Sequence, residues 1–292
     1  MQNGRSNRRR VSTRVVAVLV GIVFVSACST NYLYERLDWF VVWRVGSIVT
    51  LTDVQEETLQ EDVQAYLDKI RVDEMPRAAD NIRSMMLQIE AGDITPDDID
   101  RRYQEGMEFF EEIILGIVPI SRDFLLSLSD EQVEELVESF YEMNDEMYDE
   151  YSGRTAEERE KNRDRSAVRG VQGFTGRLSD EQKELIKSRI ASMEDSSERW
   201  IDYQRVWQDQ FKALLLERPA EPQITEELTA LLVYPRKFHS PEYKAIVEKN
   251  RQILNVMIAD LFATLTPKQR DHMLGELDEY VQLLMKLSQM PT

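Results

Sequence analysis

The chain contains one cysteine, Cys28, and its surroundings indicate covalent attachment of lipid. It follows Val25-Ser26-Ala27, which ends the apolar stretch 15–27, and this stretch follows an arginine-rich start. The apolar stretch is too short to span a bilayer, which requires about 20 apolar residues. A basic segment, an apolar segment and small residues before a cleavage site are typical of an export signal. The pattern predicts a lipoprotein signal peptide over residues 1–27, cleavage between Ala27 and Cys28, and acylation of the Cys28 thiol.

The same pattern sets the expected boundaries and location. Residues 28–31 are expected to form the acylated anchor and a short tether, and residues 32–292 an all-helical periplasmic domain. A cysteine that carries more than one acyl chain is stably anchored. Ser29 favours the outer membrane over the inner membrane, because in enteric-type bacteria Asp at this position retains lipoproteins in the inner membrane.

Three aromatic residues with helical spacing, Trp200, Tyr203 and Trp207, are the candidate partner-binding residues. Side chains three and four positions apart lie on the same face of a helix. The three rings could therefore form a stacking platform for a sugar or a peptide. The alternative is a stripe of core side chains, which the same spacing also predicts.

Residue types that support catalysis or metal binding are sparse. The two histidines, His239 and His272, are far apart in the sequence and lack metal-ligand spacing. The chain has neither the nucleophile motif G-x-S-x-G nor a glycine-rich phosphate loop. We therefore expect no enzymatic activity, no metal and no cofactor. The alternative, an enzyme acting on peptidoglycan or another glycan, would depend on the Trp200 face and on scattered carboxylates.

The densest aromatic segment, residues 32–43, begins directly after the predicted anchor. Its rings could lie at the membrane interface, where tryptophan and tyrosine are enriched. Alternatively, the segment forms a first helix whose aromatic side chains fill the core. Arg36 and Asp38 make it poorly suited to lipid, so the core interpretation is favoured.

Acidic residues outnumber basic ones by 54 to 36, which gives a net charge of −18. A strongly acidic surface repels nucleic acid and anionic lipid head groups and favours basic partners. We expect a protein partner in the cell envelope, contact with the membrane through the lipid anchor, and no nucleic acid.

A five-residue motif occurs four times and marks the start of a helix. In each copy Thr or Ser is the N-cap, and Gln three residues later completes a capping box. The four copies are Leu51-Thr52-Asp53-Val54-Gln55, Leu128-Ser129-Asp130-Glu131-Gln132, Leu178-Ser179-Asp180-Glu181-Gln182 and Leu265-Thr266-Pro267-Lys268-Gln269. Thr95-Pro96 and Ser240-Pro241 are further caps with Pro at the first helical position.

The segments after these caps carry apolar residues at helical spacing, and no strand-like alternation is convincing. The sequence predicts an all-α fold, a single multi-helix bundle-like domain. Gly116 and Pro119 are expected to break the helix that follows Thr95, and a second break is expected over 218–223. The polar stretch 152–169 is either an exposed helix or a mobile connection. The uneven spacing of the four motifs excludes a solenoid of fixed period.

Several motifs are weak singly and specific together. They are Tyr34-x-x-Leu37-Asp38-Trp39, the capping boxes, Ser240-Pro241-x-Tyr243, Asn250-Arg251 and Leu265-Thr266-Pro267-x-Gln269-Arg270. On these motifs the chain resembles, over nearly its full length, a family of uncharacterised lipoproteins of Gram-negative bacteria known only as a domain of unknown function. The resemblance implies an all-helical envelope lipoprotein and supplies no activity and no catalytic residues.

A second resemblance is local. The Leu-Thr-x-x-Gln box is similar to the signature of small helical periplasmic stress chaperones of the Spy and CpxP type. Those proteins have two such boxes, whereas this chain has four and is far longer.

Taken together, the sequence features predict a non-enzymatic lipoprotein on the periplasmic face of the outer membrane that binds or supports another envelope component. The alternative is a chaperone-like holdase in envelope stress.

Overall fold

The structure, a computed structural model, describes Tyr34 and residues 36–290. The predicted signal peptide, the tether and Cys28 lie outside the described residues. Within them the regular elements are helices without strands, so the predicted all-α fold is confirmed. The α-helices are α1 Leu37–Gly46, α2 Asp53–Lys69, α3 Met75–Ala91, α4 Pro96–Leu126, α5 Asp130–Ser152, α6 Ala156–Thr175, α7 Asp180–Ala191, α8 Ser197–Glu217, α9 Gln223–Leu232, α10 Pro241–Ala263 and α11 Pro267–Ser288. A π-helical segment, Ile70–Glu74, joins α2 to α3, and a 3₁₀ turn, Pro235–Phe238, precedes α10.

Local capping determines where most of these helices begin. All four predicted boxes are present, at the starts of α2, α5, α7 and α11. The predicted caps Thr95 and Ser240 begin α4 and α10. The stretch 152–169 lies largely in α6, which begins at a further box formed by Thr155 and Glu158. The predicted break over 218–223 is confirmed, since it separates α8 from α9.

The expected helix break at Gly116 and Pro119 is wrong. Helix α4 continues through both residues as one helix from Pro96 to Leu126. The ring of Pro119 is exposed, whereas the neighbouring Val118 is buried. Packing of α4 on α2, α9 and α10 outweighs the missing N–H of one proline and the low helix propensity of one glycine.

Two clusters of buried apolar side chains hold the helices together from Leu37 onward, where the chain forms one compact unit. The first core is built by α4, α5, α8, α9 and adjoining loop residues, and consists of Val49, Val118, Leu125, Leu128, Val133, Leu136, Val137, Phe211, Leu214, Leu215, Ile224, Leu228, Leu231 and Val233. The second core is built by α3, α7, α10, α11 and adjoining residues, and consists of Ile89, Leu178, Ile186, Met257, Leu261, Phe262, Leu265 and Leu277. Helix α4 connects the two, since it packs on both α9 and α10.

The aromatic side chains of α1 do not fill the core as favoured from the sequence. Val42 is the buried residue of this helix, whereas Trp39 and Trp43 are 55% and 54% exposed. Residues 39 and 43 share one side of the helix, and the helix packs on α2 with its other side. The core interpretation of residues 32–43 is therefore wrong for both tryptophans.

Candidate functional site

Trp207, one of the three predicted partner-binding residues, packs against the first core. Its ring stacks on Phe211 with centroids 5.0 Å apart and contacts Phe140 at 6.2 Å. Its indole N–H donates to the carbonyl oxygen of Leu231 on α9 at 2.9 Å. A buried tryptophan N–H requires a partner, and this bond ties α8 to α9.

Tyr203, the second predicted residue, belongs to a separate aromatic cluster between α8 and α10. The ring of His239 meets Tyr203 edge-on at 4.4 Å and Tyr243 at 4.5 Å. Burial raises the pKa of Tyr203 to about 12. Burial, reinforced by Arg236 and Lys244, lowers the pKa of His239 and so favours the neutral imidazole. The cluster therefore consists of buried and half-buried, uncharged aromatic rings.

Trp200, the third predicted residue, is half-buried near the start of α8. The structure thus places the three rings on one helix as expected but gives two of them neighbours within the protein. Partner binding through Trp200, Tyr203 and Trp207 stays a prediction.

The first two capping boxes meet each other, a contact that the sequence did not reveal. Gln55 of α2 and Gln132 of α5 exchange amide hydrogen bonds, with Nε2–Oε1 distances of 3.0 and 2.7 Å. The Gln55 amide also donates to the Ser127 carbonyl at 2.8 Å, and the Gln132 amide donates to the Thr50 carbonyl at 2.7 Å. Each accepting carbonyl lies two residues before the partner's N-cap. We call this contact the first glutamine pair.

The third and fourth boxes repeat the arrangement in the second core. Gln182 of α7 and Gln269 of α11 exchange amide hydrogen bonds at 3.1 and 2.9 Å. Their amides also donate to the carbonyls of Thr264 and Arg177, at 3.1 and 3.0 Å. Both glutamines are buried, whereas Gln55 and its partner in the first pair are half-buried. This contact is the second glutamine pair.

Both pairs use the same set of hydrogen bonds. The same joint between two helix starts therefore occurs at two places in the chain. In each joint the glutamine oxygen accepts from the N–H of its own N-cap, and the amide nitrogen donates across to the other box. The partners are 77 residues apart in the first pair and 87 in the second. The two separations are similar, and this similarity was the sequence signal of a repeated contact. The uneven spacing of the four boxes along the chain obscured it.

Two boxes outside the pairs have an acid at the third position, and these should make stability depend on pH. Hydrogen bonds from the Thr95 hydroxyl and backbone N–H hold the pKa of Asp98 well below its ordinary range. Bonds from Thr155 lower the pKa of Glu158. A lowered pKa contributes stability above the unfolded value, roughly pH 4, and this contribution is lost as pH falls through the folded value.

We expect the double variant Asp98→Asn/Glu158→Gln to lose stability less steeply than the wild type as the medium is acidified. The amides keep an oxygen that can accept from the cap N–H but do not titrate. Urea unfolding followed by circular dichroism, from neutral pH to below about pH 4, measures the two profiles. Parallel profiles would show that these caps do not contribute to the acid sensitivity.

An acidic groove runs along α1 and α2. Its carboxylates come from Asp38 on α1 and, on α2, from Asp53, Glu56, Glu57, Glu61 and Asp68. None of the described side chains that line it is basic. The amide of Gln60 donates to Asp38 at 2.8 Å, so one carboxylate also ties the two helices together. Its carboxylates give the groove a negative potential, which attracts cationic groups.

A recess of about 680 Å³ opens beside the second glutamine pair. Arg177, Lys268 and His272 lie on its wall together with Glu181. Its charge thus contrasts with the acidic groove of α1 and α2.

No metal centre and no membrane span occur in the described part of the chain. No group of three or more His, Cys, Asp or Glu side chains there is arranged to hold a metal ion. None of the helices between Leu37 and Ser288 is both long and apolar enough to cross a membrane.

Comparison with known proteins identifies a family for this chain. No curated protein and no solved structure matches the chain. The local similarity of the capping boxes to Spy- and CpxP-type chaperones stays a prediction. The predicted resemblance to an uncharacterised domain family is confirmed, because the family of unknown function DUF6279 matches residues 47–244. Since this match covers more than half of the chain, the protein belongs to the DUF6279 family.

Proposed function

We propose that the protein is a lipoprotein, anchored through Cys28 to the periplasmic face of the outer membrane, that binds or supports another envelope component. The observation that carries this proposal is the lone cysteine after Val25-Ser26-Ala27, behind a basic and then an apolar segment. The described helical unit begins at Leu37, nine residues after this cysteine. Such an anchor confines the unit to a thin layer and raises its effective concentration near membrane partners.

A binding role without catalysis is supported by the use that the chain makes of its polar side chains. The buried glutamines Gln182 and Gln269 join helix starts, and His239 lies between two tyrosines. The acidic groove of α1 and α2 remains open at the surface, on the first two helices of the described unit. A protein with a basic segment is the partner that fits this groove.

Acylation is tested by metabolic labelling with radioactive palmitate. We expect wild-type protein to carry label and Cys28→Ser to carry none, because the thiol is the only acceptor of its kind in the chain. Ser29→Ala is the matched control and should remain labelled. Ser29→Asp should remain labelled and move toward the inner-membrane fraction. Label retained in Cys28→Ser, or absent from the wild type, would contradict the proposed anchor.

Partner binding is tested by crosslinking in intact envelopes followed by purification of the protein. We expect one defined partner with the wild type and much less of it with Cys28→Ser. Replacing Glu57 and Glu61 by Gln should weaken capture of a basic partner at low salt, because both carboxylates line the acidic groove. Glu184→Gln, an exposed carboxylate on α7, is the control for charge alone. No defined partner in any sample would contradict the binding role.

A holdase is a second candidate, favoured by exposed apolar side chains. Val54, Val72, Leu87 and Phe110 are large apolar residues at the surface of α2, the π-helical segment, α3 and α4. These side chains are accessible to the apolar segments that an unfolded client exposes. A holdase suppresses aggregation of a denatured client at near-equimolar ratio, and failure to do so would contradict this candidate.

A further inference from the structure

The two tryptophans of α1 form an outward-facing aromatic pair on a fixed helix. Trp39 and Trp43 stack with centroids 6.3 Å apart and an interplanar angle of 15°. Phe40 extends the pair, with its centroid 5.6 Å from that of Trp43. These rings lie outside both cores, so they contribute little to the stability of the folded unit. Their aromatic surface is available to lipid or to another molecule.

The helix that carries this pair is held from its other side. Asp38 accepts a hydrogen bond from Gln60 of α2, and Arg44 donates to the sulfur of Met143 on α5 at 3.7 Å. Val45 packs against the first core. These contacts tie α1 to α2, to α5 and to the first core, so the tryptophan pair is presented on a packed helix.

The tryptophan pair lies close in sequence to the proposed lipid anchor. Trp39 follows Cys28 by eleven residues. Even fully extended, eleven residues span at most about 40 Å, which is similar to the thickness of one bilayer with its head groups. An acylated Cys28 therefore keeps the tryptophans within reach of the membrane surface. Tryptophan is enriched at this level because its ring is apolar and its N–H is polar.

We propose that Trp39 and Trp43 dock α1 onto the lipid head-group layer, an inference that rests on the proposed acylation of Cys28. The neighbouring charges set the kind of lipid. The carboxylates of Asp53, Glu56 and Glu57 on α2 lie in the groove beside α1, so anionic head groups are repelled. Zwitterionic lipid is the surface that fits.

Tryptophan fluorescence in vesicles tests the docking. Acylated protein is reconstituted into phosphatidylcholine vesicles with and without brominated acyl chains. We expect brominated lipid to reduce the emission of the wild type and of Trp200→Phe, whose α1 is intact. Trp39→Phe/Trp43→Phe should lose this quenching, which assigns it to α1. Adding phosphatidylglycerol should reduce the quenching at low salt and restore it at high salt, because salt screens the repulsion.

Failure of the docking and failure of the anchor give different results. A mass spectrum of the purified protein without acyl chains on Cys28 contradicts the proposed function itself. Acylated protein whose emission is unaffected by brominated lipid overturns the docking and leaves the anchor standing. Wild type that dimerises in detergent while Trp39→Ser/Trp43→Ser stays monomeric and equally helical also overturns it, because a second copy then covers the pair.

Discussion

Gln182→Ala is expected to lower the free energy of unfolding by about 3 kcal/mol. Gln182 is 4% exposed, and its oxygen accepts from the Ser179 N–H while its amide donates to Gln269 and to the Thr264 carbonyl. The variant loses these bonds and leaves buried polar groups of its partners without them. An unmade bond at a buried polar group costs more than the bond itself contributes in a solvated position. Urea unfolding monitored by circular dichroism measures the loss.

The first glutamine pair provides the matched control. Gln55→Ala removes the same set of bonds where the side chain is half-buried, so water can replace part of them and we expect a loss of about 1 kcal/mol. A double-mutant cycle of Gln182→Ala with Gln269→Ala should show coupling of at least about 0.5 kcal/mol, since the two side chains bond each other. Equal losses at residues 55 and 182, or additive effects at 182 and 269, would show that the buried pair does not act as a unit.

Gly116→Ala is expected to destabilise the protein by about 2 kcal/mol, although alanine is the better helix former. A Cβ atom at this position would lie 2.5 Å from the hydroxyl oxygen of Tyr66 and 2.8 Å from its ring. The Tyr66 hydroxyl donates to the carbonyl of Ile113 on the same helix, α4. The Tyr66 ring must move to admit the methyl group, and this movement disrupts its hydrogen bond to Ile113.

Gly106, also on α4, is the control, since a Cβ there meets nothing within 4 Å. Gly106→Ala should stabilise by up to about 1 kcal/mol through helix propensity. In a Tyr66→Ala background, Gly116→Ala should change sign and stabilise as well. Thermal unfolding of the wild type, the three single variants and the double variant Tyr66→Ala/Gly116→Ala measures both effects. If Gly116→Ala stabilises with Tyr66 intact, the close approach of α2 and α4 does not constrain this position.

The helix starts could be predicted because a capping box is local. The Thr52 hydroxyl and the Gln55 amide act on backbone groups within three residues, so the sequence determines the contact almost alone. The pairing of boxes could not be predicted in the same way. The pairing depends on the amide nitrogen of Gln55. This nitrogen reaches Gln132 only after the cores have brought α2 and α5 together.

Predictions from the sequence were wrong where tertiary packing outweighs the local conformational preference of the residues. Gly116 indicates a helix break by propensity, but it occupies the position where Tyr66 leaves no room for a side chain. The spacing of Trp39 and Trp43 predicts a shared helix face without saying whether that face points to a core or to solvent. The same limit applies to Trp207, whose spacing with Trp200 and Tyr203 was right but whose stacking on Phe211 depends on the packing of the first core.

The identity of the residue three positions after a cap has a use beyond this chain. Where that residue is an amide, as at Gln55, its nitrogen reaches the start of a distant helix; where it is an acid, as at Asp98 or Glu158, the cap serves its own helix alone. A carboxylate cannot donate, and two of them face to face would repel. In other DUF6279 sequences, we expect an amide at this position to mark a long-range contact. Where one box of a pair carries an acid instead, we expect a compensating change in the other box.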